Sequence, residues 1–187
     1  AIYSQKALDG GAGTTVSIVN SGDLTTADGS AIRIFGAVGN VGTASVSNSG
    51  IINAAGGNGI YAKGIGSGSS VTNSREINTA EFGGKDAILI EGNNLGTIGN
   101  TGTLNADGSG IYVTGTTAGD IASTGIINAT NGYGTFALHN AGAITANNVD
   151  SAMAGVHVGG TATSVTSTGM ITTSGTAADG VHIANTG

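Results

Sequence analysis

The chain has 187 residues with 36 Gly, no Pro, no Cys and no Trp, and only 9% of it is charged. Such usage departs from an ordinary globular domain. It also excludes collagen, which needs Pro and a three-residue Gly period, and any disulfide or thiolate-metal framework. The formal net charge is −6 and all five basic residues lie within the first 85 positions, so no nucleic-acid partner is expected, because phosphate contacts need clustered Lys and Arg.

In chain order the first recognisable element is Ala1 to Tyr3 (AIY), read as a short strand. A pentapeptide follows: an aliphatic residue, any residue, Asn or Ser, a small residue, then Gly. It is read at Ile18 to Gly22, Val46 to Gly50, Val71 to Arg75, Ile98 to Gly102, Ile121 to Gly125, Leu138 to Gly142, Val165 to Gly169 and Ile183 to Gly187, with spacings of 28, 25, 27, 23, 17, 27 and 18 residues. Six residues after each of the first seven aliphatics stands another: Leu24, Ile52, Ile77, Leu104, Ile127, Ile144 and Ile171. Each opens a segment alternating large, polar and small, the pattern of a strand with one buried face. A further strand then repeats the opening AIY as AIRI at Ala31, GIYA at Gly59, AILI at Ala87, GIYV at Gly110, GTFA at Gly134, GVHV at Gly155 and GVHI at Gly180.

Three short strands per repeat predict an all-β chain folded as a right-handed parallel β-helix, a three-sided solenoid of about seven rungs stacked about 4.8 Å apart. No helix is required. The corner glycines are expected to supply positive φ, which makes Arg75 an exception predicting a strained residue or a different turn. The corner asparagines are expected to bond backbone groups or their counterparts in the next rung. Because the chain opens inside a strand and closes on a pentapeptide, residues 1–187 are read as one β-helix fragment of a longer protein. It contains no apolar run long enough for a membrane span, and residues 1–20 lack a signal-peptide pattern, so any export signal is expected outside it.

Rungs reading V-x-N-S-G-x-I-N-A followed by G-I-Y-V resemble, over the whole chain, the passenger β-helices of Gram-negative autotransporters and related large exoproteins. The resemblance implies a location outside the cell at the bacterial surface. It also implies an adhesive or host-interacting role, with a host-cell receptor or glycan, or a neighbouring bacterial cell, as partner. A purely structural stalk or an end-to-end filament protomer is the alternative, and a glycan-active enzyme a further one.

The middle residue of each GIYV-type strand faces away from its aliphatic neighbours. Stacking therefore predicts one outward ladder of Tyr3, Arg33, Tyr61, Leu89, Tyr112, Phe136, His157 and His182 as the candidate binding surface. Ordinary cross-strand stacking is the competing explanation. His157 and His182 form a neighbouring pair without a carboxylate at a matching position, so no metal is assigned, and no cofactor or catalytic residue. A second outward ladder is read at Asn53, Asn78, Asn105 and Asn128, with Thr25, Thr145 and Thr172 in equivalent places. Asp28, Asp107 and Asp179 precede Gly at turns. Gly36 to Ala44, Gly64 to Ser70, Glu81 to Lys85 and Asn147 to Met153 are the longest departures from the minimal rung and are expected to form surface insertions.

Overall fold

The computed structural model describes residues 1–4, 14–35, 42–79, 83, 85–139, 141–176 and 178–184. Among these residues every regular element is a strand. The strands form three parallel sheets that take successive strands in turn, so the chain winds as a three-sided parallel β-solenoid. Sheet A contains eight strands of the GIYV type, beginning with Ile2–Ser4, Ile32–Ile34 and Ile60–Ala62. Sheet B contains seven pentapeptide strands, beginning with Thr14–Asn20 and Gly42–Asn48, and sheet C seven shorter strands, beginning with Leu24–Thr26 and Ile51–Ala54.

Alternation decides which side chains enter the core. In sheet A, Ile60, Ile88 and Ile111 lie in register and are fully buried, as are Ala62, Ile90 and Val113 on the next inward position. Sheet B stacks Val46, Val71, Ile98 and Ile121, and sheet C stacks Ile52, Ile77, Leu104 and Ile127, all without exposure. A single rung leaves these side chains in water. Stacking removes them from it, at about 1.5–3 kcal/mol for each large aliphatic.

Polar groups are also enclosed, and they are paired rung to rung. Asn20 donates through Nδ2 to Oδ1 of Asn48 at 2.7 Å, Asn48 to Asn73 at 2.7 Å, Asn73 to Asn100 at 2.9 Å and Asn100 to Ser123 Oγ at 3.0 Å. The expected contact between corner asparagines is therefore present. It forms a buried ladder in which Asn48, Asn73 and Asn100 also reach a carbonyl two residues ahead, as Asn48 does to Gly50 at 2.9 Å.

The corner glycines serve a different purpose from the one expected. Gly22, Gly50, Gly102 and Gly125 are absent from the residues with positive φ, and Arg75 is likewise unstrained. What Gly supplies is room: a Cβ on Gly50 would overlap the carbonyl of Gly22, one on Gly102 that of Arg75, and one on Gly125 that of Gly102.

One rung departs from the predicted register. Ile144, not Leu138, pairs with Ile121 and Val165 in sheet B, and Val149 takes the sheet C position between Ile127 and Ile171. Leu138 follows a sheet A strand and is exposed. The sheet B spacings become 28, 25, 27, 23, 23 and 21, which is what level stacking of parallel strands requires. From Ile144 to Val149 the arc is one residue shorter than in the other rungs, and it turns through Asn148 at φ 50°. Asn148 is the only non-Gly residue with positive φ among those described, and Asn tolerates that conformation better than most residues.

Two other expectations change with this register. The segment from Asn147 to Met153 is not an insertion, since Val149–Ser151 is a sheet C strand. Ile183 lies in sheet A opposite Val158 and does not open another pentapeptide; 185–187 fall outside the described residues. Of the other expected insertions, 36–41, 81–82 and 84 also fall outside them. Gly64 to Ser70 passes through Ile65, which is buried and bridges to Asn94, so this stretch is a corner of the wall.

Candidate functional surface

The eight residues of the outward ladder occupy consecutive places in sheet A: Tyr3 opposite Arg33, then Tyr61, Leu89, Tyr112, Phe136, His157 and His182. Parallel pairing without a register shift puts like positions one rung apart. Where successive rungs carry rings, the rings lie face to face. Tyr112 and Phe136 have centroids 4.5 Å apart at 7°, Phe136 and His157 4.9 Å at 6°, and His157 and His182 4.9 Å at 6°. The Tyr112–Phe136 pair contributes about 0.5–1.5 kcal/mol beyond its burial.

Leu89 interrupts the rings and leaves a second group toward the N-terminal end. There the Arg33 guanidinium lies 4.1 Å from the Phe35 ring centroid and 5.2 Å from that of Tyr61, within cation–π range. The Tyr61 hydroxyl donates to the Glu91 carboxylate. Burial, then that hydrogen bond and the Glu91 charge, push the Tyr61 hydroxyl up to about 12 against the opposing pull of Arg33. A phenol held this firmly protonated is unsuited to act as a base at neutral pH.

Not all of the ladder is exposed. Tyr61 and Phe136 keep only 8% and 6% of their surface, whereas Arg33, Leu89, Tyr112, His157 and His182 are half-buried. The cover comes from side chains outside the ladder. Phe35 tilts against Tyr61 at 5.7 Å, and Tyr133 tilts against both Phe136 at 4.7 Å and His157 at 5.2 Å. Phe35 and Glu91 were open to discovery by extending the two-residue alternation past Arg33 and Leu89. Tyr133 had no such signal, because it stands at the corner before its strand.

The same corner supplies the carboxylate that the histidine pair was expected to lack. Asp179 lies 2.8 Å from Nδ1 of His182, three residues along the chain. His157, more enclosed, has its pKa lowered by burial and then by the charge of His182. The described residues contain no group of three or more His, Cys, Asp or Glu placed to hold a metal ion. Among the other turn acids, Asp28 precedes Gly29 at φ 76°, and Asp107 accepts from Asn131 at 2.6 Å.

The polar ladder forms on the outer face of sheet C. Asn78 donates to Asn53, Asn105 to Asn78 and Asn128 to Asn105, each at 2.8 Å. Thr25 pairs with Asn53 at one end, but Asp150, rather than Thr145, follows Asn128, with Thr172 beyond it. The displacement of Thr145 into sheet B follows from the corrected register. This ladder borders a surface groove of about 610 Å³ completed by the corner residues Ala55, Thr79 and Thr130.

Fold and surface together define a three-sided parallel β-solenoid with an aromatic ladder on one face and an amide-lined groove on another. Comparison with protein families, with curated proteins and with solved structures finds no match.

Proposed function

We propose that this chain is part of a surface-displayed passenger β-helix of the autotransporter type, acting as an adhesive rod by binding rather than by catalysis. The observation that carries the reading is the run Tyr112, Phe136, His157 and His182, four stacked rings facing outward on consecutive rungs of a rigid wall. Stacked aromatic side chains that present their edges from a stiff support lose little conformational entropy on binding, and side chains of this kind anchor many protein interfaces. A host-cell receptor, a host glycan or a neighbouring bacterial cell is the class of partner. The extracellular setting belongs to the same proposal, as does secretion across two membranes, which an unbridged chain without Cys accommodates.

The test is saturable binding of the purified chain to cultured mammalian cells, compared with a variant carrying Tyr112→Ser and His182→Ser. These are half-buried ladder positions whose loss spares the covered Tyr61 and Phe136. We expect binding to weaken at least tenfold while urea unfolding of the variant stays within about 1 kcal/mol of the parent. Unchanged binding removes the ladder from the interface, and a parent chain that does not bind identifies the rod as a spacer.

A further inference from the structure

The groove over sheet C differs from the aromatic face in three respects: it is lined without a charged residue, an unbroken amide series runs between its alanines, and it follows the solenoid axis. We propose that it binds an extended, neutral, β-1,4-linked glycan laid parallel to that axis. The inference deepens the adhesive reading, and rests on it for its biological setting, by naming a ligand chemistry and a second face.

The amide inventory is the first support. Asn78 uses one Nδ2 hydrogen on the rung before it, and its Oδ1 accepts one hydrogen from the rung after. An amide has two donors and two acceptor lone pairs, so one of each is left on Asn78. Asn105 places its remaining donor near Glu76 at 3.3 Å, whereas Asn53, Asn78 and Asn128 make no further bond with a described residue. A ligand suited to this floor must be able both to donate and to accept along its length. A sugar hydroxyl does both.

Spacing decides among polymers. The ladder repeats once per rung, at about 4.8 Å. An extended peptide along the axis advances about 3.3 Å per residue and brings like side chains round only every 6.6 Å or so, so it falls out of step within two rungs. A pyranose unit in an extended β-1,4 chain advances by nearly the rung distance; successive units are turned over, but each carries hydroxyls on both edges and so offers a donor and an acceptor to every rung. From Thr25 to Asn128 the groove crosses five rungs, about 19 Å at that spacing, enough for a short oligosaccharide. Charge then selects within glycans: Glu76 beside the floor and Asp150 at its end repel sulfated or uronic chains, and neutral ones are unaffected.

Titration calorimetry of the purified chain with a β-1,4-linked glucose hexasaccharide tests the proposal. The α-1,4-linked hexasaccharide, which coils, serves as the comparison. We expect saturable binding of the β isomer, at least tenfold tighter than of the α isomer. Thr130→Arg fills the groove from an exposed corner without replacing a ladder residue, and should weaken binding at least tenfold. Asn78→Leu combined with Asn105→Leu should do the same. The proposal is overturned if the β hexasaccharide does not bind saturably, if both isomers bind equally, or if folded Thr130→Arg retains full affinity. No cells enter this experiment, so its failure is distinct from failure of the aromatic ladder to mediate attachment.

Discussion

At the scale of single residues, the corner before each sheet A strand shows how a side chain stabilises the rung above it. Asn58 Oδ1 accepts the Asp86 N–H at 2.9 Å, Asp86 Oδ1 accepts the Ser109 N–H at 2.7 Å, and Ser109 Oγ accepts the Tyr133 N–H at 3.2 Å. Asp86 is the expensive member of this series. Burial pushes its carboxyl up to about 6, against the lowering effects of the Ser109 hydrogen bonds and the Lys85 charge. The folded state thus holds a proton that the unfolded chain releases near pH 4, and stability falls as pH rises from about 4 through 6. Asp86→Asn keeps an acceptor for Ser109 and removes the charge. It should therefore be more stable than the parent at pH 7.5, by up to about 3 kcal/mol, and nearly equal to it at pH 3.5. Urea unfolding of both proteins at the two pH values checks this, and identical pH profiles would refute it. A scan of the acids along the chain could not find this cap, because its partner is one rung away.

At the scale of the element, the corners are governed by close approach. A Cβ on Gly102 has no free space beneath the carbonyl of Arg75, whereas one on Gly22 meets nothing within 4 Å among the described residues. Neither glycine has positive φ, so backbone strain does not enter. Gly102→Ala should cost about 1–3 kcal/mol as the rungs are forced apart. Gly22→Ala should be neutral or slightly stabilising, by about 0.5 kcal/mol, through loss of freedom in the unfolded chain. Equal melting temperatures for the two variants would mean that the corner relaxes freely. The recurrence of Gly was plain in the sequence. Its reason was not, because a requirement for φ and a requirement for space leave the same residue behind.

Over the whole molecule, each rung contacts chiefly the rungs on either side, so the cost of a core substitution depends on whether both neighbours are present. Leu104 is fully buried between Ile77 and Ile127, whereas Ile171 is half-buried beyond Val149 in the last described sheet C strand. Leu104→Ala should destabilise by about 2–5 kcal/mol, and Ile171→Ala by less than half as much. Urea denaturation followed by far-ultraviolet circular dichroism measures both, and equal losses would show that the rungs do not act as a stack of neighbours.

What could be read from the residue order alone was the rung: three strands, their inward aliphatics, the corner asparagine series and the outward series from Tyr3 to His182. These follow from two-residue alternation within a strand and from near-constant repeat length. Both are local properties. The misplacement of Leu138 shows where that reading stops, since LHNAG satisfied the pentapeptide but demanded one rung of 17 residues beside another of 27. Only level stacking selected Ile144 and the turn at Asn148. Which outward rings are covered, and which acid meets which donor, likewise depends on partners about one rung apart in the chain: Glu91 under Tyr61, Tyr133 beside His157, Asp86 beneath Ser109. Residues that far apart become neighbours only when the solenoid closes each turn, so tertiary structure alone determined how much of the ladder faces solvent.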